Sequence, residues 1–160
     1  ISGSLIRGTC GIQNVYQYVT ISPFLFASSS RVGGTNWFLT VDSGEINGGD
    51  VRNISGGSVG TVGDWVQYNV SLDKGTWGIS GFIQTFNSGG NTTIDISGST
   101  TGCFNSYACP GAKNVVITSS NLSIAASGEY ILQFKQTGSN PTTNRTDLAL
   151  IHIELRRLSA

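Results

Sequence analysis

Gly63–Ile83, GDWVQYNVSLDKGTWGISGFI, decides the reading of this chain. Val66, Tyr68, Val70 and Leu72 alternate with Gln67, Asn69 and Ser71, the period of two that marks a half-buried strand. Asp73-Lys74-Gly75 interrupts with turn chemistry: a short acid, a charge, and a residue free to take positive φ. Trp77, Ile79, Gly81 and Ile83 then resume the alternation. Two such runs around a short polar connection predict a β-hairpin within an antiparallel sheet. Trp65 and Trp77 read as core or sheet-face packing, because large aromatics act through buried area.

Moving outward, the same grammar repeats. On the N-terminal side, residues 14–26 read as a strand that ends or bulges at Pro23, which cannot donate to a ladder. Ser28 to Thr35 reads as a loop, and Trp37, Leu39 and Val41 share one face of a short strand. Residues 42–63 read as a long irregular connection with one short strand near Val51 to Ile54. On the C-terminal side, Ile94 and Ile96, Val115 to Ile117, Leu122 and Ile124, and Tyr130, Leu132 and Phe134 mark further strands. Residues 98–112 form a second long loop and 138–145 a polar one. The last strand runs from Leu148 to Leu158 and is apolar on both faces in its first half, as a covered central strand should be.

These runs predict an all-β chain: a two-sheet antiparallel β-sandwich of jelly-roll type, with eight or nine strands and no significant helix. A single domain is expected, with an N-terminal arm and first strand over 1–25 and the jelly roll over 26–160. Composition agrees: 22 of 160 residues are glycine and methionine is absent. No run of apolar residues is long enough for a membrane helix. No signal peptide is visible, and a methionine-free chain opening at Ile1 reads as processed or excised.

Nine basic and nine acidic side chains leave no formal net charge. That argues against nucleic acid or an anionic membrane as partner, since both call for a basic stripe.

Chemistry is sparse. Asp42, Glu45 and Asp50 share one loop and are weak calcium candidates, being hard oxygen ligands without EF-hand spacing. As solvated loop charges or Asx-turns they need no ligand. No catalytic constellation and no cofactor motif is found. His152, mid-strand, reads as a packed, hydrogen-bonded side chain. Cys103 and Cys109 enclose a short loop, and a bridge there would contribute about 2 kcal/mol. Three free thiols, or a bond from Cys10 to either partner, stay open. Asn53, Asn69, Asn91, Asn121 and Asn144 head Asn-x-Ser/Thr sequons. Tyr107 with Asn105, in the second long loop, is a candidate sugar contact.

GDWVQYNVSLDKGTWGI, SGEYILQFKQTGSNP and LALIHIELRR together resemble the jelly-roll domains of tailed-bacteriophage virion proteins, in tail fibres, appendages and capsid decoration proteins. The matching segments are Gly63 to Leu72, Gly75-Thr76-Trp77, Gly128 to Leu132, Gly138 to Pro141 and Ile151 to Arg156. The resemblance implies a non-enzymatic structural protein on the virion exterior: a homo-oligomer, expected to be a trimer. It would contact other virion proteins and a host-surface glycan. The GDWVQYNV…GTW run is also similar to β-sandwich carbohydrate-binding modules, which implies the alternative of a secreted module with a loop-bound calcium.

Overall fold

The computed structural model describes residues 17–33, 36–55, 57–119 and 121–160. Cys10 and residues 1–16 of the N-terminal arm and first strand expected over 1–25 lie outside the described residues. Twelve strands and one short 3-10 turn are present among them: β1 (Tyr18–Ile21), the turn Pro23–Leu25, β2 (Ser28–Ser30), β3 (Phe38–Val41), β4 (Gly49–Arg52), β5 (Trp65–Leu72), β6 (Gly75–Gln84), β7 (Asn91–Ile96), β8 (Ser99–Asn105), β9 (Val115–Thr118), β10 (Leu122–Ile124), β11 (Gly128–Gly138) and β12 (Ala149–Ser159). Two antiparallel sheets result. The five-stranded sheet runs β2-β5-β11-β7-β8. The seven-stranded sheet is centred on β6 and β12. β6 carries β9 and β10 along its other edge, and β12 carries β4 and β1, with β3 outside β4. No helix among the described residues is long and apolar enough to cross a membrane.

The deciding stretch forms both expected strands, but they are not a hairpin. β5 pairs with β11 and β2, whereas β6 pairs with β12. Asp73 and Lys74 therefore carry the chain from one sheet to the other. The physical reason is burial: a hairpin would place both apolar faces side by side in one sheet, but an arch sets them on opposing layers of one core. Val66, Tyr68, Val70 and Leu72 are buried from one sheet and Trp77, Ile79 and Ile83 from the other. Each such side chain contributes about 1.5–3 kcal/mol of hydrophobic stabilisation. The arch is pinned by Trp77 Nε1, which donates to the Asp73 carbonyl at 2.9 Å. Gly75 is required there: its φ is +145°, and a Cβ would lie 2.2 Å from the Ser159 carbonyl oxygen.

Tyr68 is buried with its hydroxyl donating to the Pro23 carbonyl at 3.0 Å, and desolvation raises its pKa above the usual phenol range. Its ring meets Phe134 edge to face at 6.2 Å. Leu148 to Ile151 are all buried, as expected of a central strand.

Two further readings change. The strand count rises because Ser28–Ser30 and Ser99–Asn105, read as loops, are edge strands. Serine- and glycine-rich edges have no alternating buried face to show in sequence. The face of Trp37, Leu39 and Val41 is divided: Trp37 is buried ahead of β3, with Nε1 donating to Ser30 O at 3.3 Å, while Leu39 and Val41 are 59% and 92% exposed on an edge strand. Pro23 ends β1 as expected, by opening the 3-10 turn.

Candidate functional site

The C-terminal ends of β6, β8 and β11 and the starts of β7, β9 and β12 lie at one end of the sandwich, where three loops converge. Their foundation is a buried polar network. Asp147 accepts from Gly60 N at 2.8 Å and from Ser88 Oγ, and pairs with Arg145. Asn53 donates to Thr146 O at 3.0 Å and to Asp64 Oδ2 at 3.1 Å, and accepts from Leu148 N at 2.9 Å. Asp64 accepts in addition from Val32 N at 2.8 Å and Thr61 N at 3.0 Å. Each buried carboxylate thus has its lone pairs used, which a desolvated charge requires. The Asn53 sequon is consumed by this network and presents no acceptor surface for a glycan.

Ser106 joins the loops. Its Oγ accepts from Gly90 N at 3.1 Å and donates to the Asp147 carbonyl at 2.8 Å. Just beyond it, Tyr107 forms a parallel bridge with Phe86, through Phe86 N to Ser106 O at 2.9 Å and Ala108 N to Phe86 O at 3.0 Å. Gly89 and Gly90 permit this approach: a Cβ on Gly89 would lie 2.2 Å from Ser106 O, and one on Gly90 2.1 Å from Gly138 O.

Above this floor opens a cleft of about 350 Å³. Tyr107, 48% exposed, stands on one wall with Asn105; Asn140, Pro141 and Thr142 form the other, with Asn91 between. Asn105 Oδ1 accepts from Tyr107 N at 2.8 Å, and Asn140 Oδ1 accepts from Thr142 N at 2.8 Å, so both asparagines are held by turns of their own making. The structure therefore brings Tyr107 and Asn105 into one cavity. Sequence reasoning missed Asn140 and Pro141, although Asn-Pro after a glycine-serine pair is a turn signal, and it missed the supporting Ser106.

The loop acids do not form a metal site: no group of three ligating side chains occurs among the described residues. Asp42 is paired with Lys113, which holds its pKa below the usual value. Asp50 makes a bidentate pair with Arg52. Glu45 lies behind them, 5% exposed, 3.7 Å from Arg52 Nη2; burial, and then the neighbouring Asp50 carboxylate, push its pKa up to about 8. Asp42 and Asp50 are thus each paired with a basic side chain, Lys113 and Arg52.

Cys103 and Cys109 are exposed free thiols, and the short-loop bridge is not formed. Cys103 points outward from β8, in the five-stranded sheet, opposite Thr93. By Cys109 the chain has crossed to run beside the end of β6, where Thr85 N donates to Ala112 O at 2.8 Å. His152 is packed as expected, with Asn47 Nδ2 at 3.1 Å from Nδ1 and the Phe82 ring 6.0 Å away.

No family model and no curated protein matches the chain. Solved structures do match, and what they share with this chain is the two-sheet β-sandwich fold. The C-terminal CBM6 of LamC, a marine laminarinase from Zobellia galactanivorans, superposes with a TM-score of 0.62 at 15% identity, covering 88% of this chain and 100% of that one. The carbohydrate-binding module CBM36 in complex with calcium and xylotriose gives 0.55 at 22% identity, covering 85% and 97%. A Paenibacillus xanthan lyase gives 0.62 at 17% identity over 84% of this chain, which spans only 14% of the lyase. At these identities the likeness is one of fold. The similarity to carbohydrate-binding modules is upheld, whereas the virion resemblance, with its trimer and virion partners, finds no support among these structures.

Proposed function

We propose that this chain is a non-catalytic carbohydrate-binding module that holds an oligosaccharide in the cleft between Tyr107 and Asn140. The observation that carries this reading is a half-exposed aromatic ring beside fixed amides in a concave site. A sugar ring has an apolar face and a rim of hydroxyls, and it needs that pairing: a flat ring to cover its C–H face, and oriented polar groups for its oxygens. The sandwich supports the reading by its likeness to modules solved with bound oligosaccharide. The rigid floor of Ser106 and Asp147 keeps the two walls in place before a ligand arrives, which limits the ordering cost of binding.

Affinity electrophoresis against a panel of soluble polysaccharides tests the proposal. At least one polysaccharide should retard the protein, and Tyr107→Ala should weaken that binding about tenfold, the effect of roughly 1.4 kcal/mol. Full retention of binding by Tyr107→Ala would exclude the cleft as the site.

A further inference from the structure

The solved module bound to calcium and xylotriose raises the question whether a metal ion fits this cleft. Its donor set answers. Calcium takes six to eight oxygen ligands, including carboxylates. Every side chain lining this cleft is uncharged. Of the three amides lining it, two already have the side-chain oxygen bonded, Asn105 Oδ1 to Tyr107 N at 2.8 Å and Asn140 Oδ1 to Thr142 N and Thr143 N at 2.8 and 3.3 Å, and Asn91 alone falls far short of six to eight ligands. Asp147, in the network beneath the floor, has Oδ1 on Gly60 N and Oδ2 on Ser88 and Arg145. Calcium does not fit.

The same bonds orient what remains. With each carbonyl oxygen turned inward to its own turn, the Nδ2 groups of Asn105 and Asn140 have no hydrogen-bond partner among the described residues. Asn140 is only 7% exposed, so its turn fixes its rotamer. Two amide donors thus flank the Tyr107 ring, with no cation to favour a carboxylate and no anion to repel one. Neutral N–H groups match hydroxyl, ring and glycosidic oxygens.

We infer that the cleft takes an uncharged polysaccharide, read by the Asn105 and Asn140 amide donors against Tyr107, with no calcium ion between protein and sugar. This rests on the carbohydrate-binding reading and narrows it.

The test is isothermal titration with neutral oligosaccharides (xylan-, β-glucan- and galactan-derived) and acidic ones (oligogalacturonate, oligoalginate), each in millimolar calcium and again in excess EDTA. A neutral ligand should bind with the same Kd in both buffers, and the acidic ligands should bind at least tenfold more weakly. Asn105→Asp and Asn140→Asp retain the oxygen that caps each turn but lose the donor. Each should weaken binding about tenfold or more while leaving Tm within a few degrees of the parent. Loss of neutral-sugar binding in EDTA, a preference for acidic ligands, or unchanged affinity in both Asp variants would overturn the inference and leave carbohydrate binding standing. Folded protein that binds no ligand in either buffer would overturn both.

Discussion

Ser106 Oγ donates to the backbone carbonyl of Asp147 at 2.8 Å, and this single bond ties the arm bearing Tyr107 to the loop bearing Asn140. The two residues are 41 positions apart, on connections that leave the five-stranded sheet after β8 and after β11 and lead into the other sheet. The bond links the floor of the cleft to the buried carboxylate network, so cleft shape and fold stability depend on the same atoms.

Ser106→Ala removes that donor and leaves Gly90 N and Asp147 O buried with fewer partners. The expected loss is about 1–3 kcal/mol of unfolding free energy. Urea denaturation measures it, and a midpoint equal to the parent's would show that the bond contributes nothing net.

Asp147→Asn is expected to cost more. The carboxylate joins Gly60 N, Ser88 Oγ and Arg145, and an amide keeps only part of this while leaving the guanidinium without its counter-charge. Gly60 N and Ser88 Oγ exchange charge-assisted bonds, worth about 1.5–3 kcal/mol each, for weaker or lost ones, while Arg145, its side chain 36% exposed, keeps its hydration. Asp147→Leu should not rescue the loss, because three donors would still face an apolar group.

Glu45 makes stability fall as pH rises. Its pKa is about 8 in the folded chain against 4.5 for a free carboxyl. Between those values the folded state holds a proton that the unfolded chain has released, so the native state is favoured by acid. This contribution is complete below about pH 4.5 and is lost as pH passes 8. Glu45→Gln should flatten the dependence, leaving the variant more stable than the parent at pH 9. Urea midpoints at pH 5, 7 and 9 decide it, and parallel pH profiles for the two proteins would contradict the assignment.

The arch between β5 and β6 should be intolerant of change at its hinge. Gly75→Ala forces a Cβ toward the Ser159 carbonyl at a φ of +145°. A loss of about 1–3 kcal/mol is expected from backbone strain. Trp77→Ala, which empties the core beneath the arch, should cost about 3–5 kcal/mol. Thermal unfolding followed by circular dichroism ranks the two.

Cys103 and Cys109 should both react with iodoacetamide in the native protein without reductant, since both are exposed and unbridged. Peptide mapping of the alkylated sites checks this. Protection of both until reductant is added would restore the disulfide.

Much of the core was legible in the residues. The inward faces of Val66 to Leu72, of Ile94 and Ile96, of Leu122 and Ile124, and of Leu132 and Phe134 follow from alternation alone, and all are buried. The cleft was legible only in fragments: Tyr107 and Asn105 were singled out, but Asn140, Ser106 and Asp147 were not. Their significance comes from contacts such as Gly60 N to Asp147 Oδ1, which spans 87 positions and leaves no local pattern.

Side-chain alternation, which depends only on a residue and its near neighbours along a pleated strand, was enough to determine that this chain forms strands and which face of each is apolar. The pairing of those strands was decided by the tertiary structure, because the same polar turn at Asp73-Lys74-Gly75 suits a hairpin or an arch. Only the burial of Leu72 and Trp77 from opposite layers selects the arch. The convergence of three loops on one cleft was decided there too, since it depends on where two sheets end and not on any run of residues.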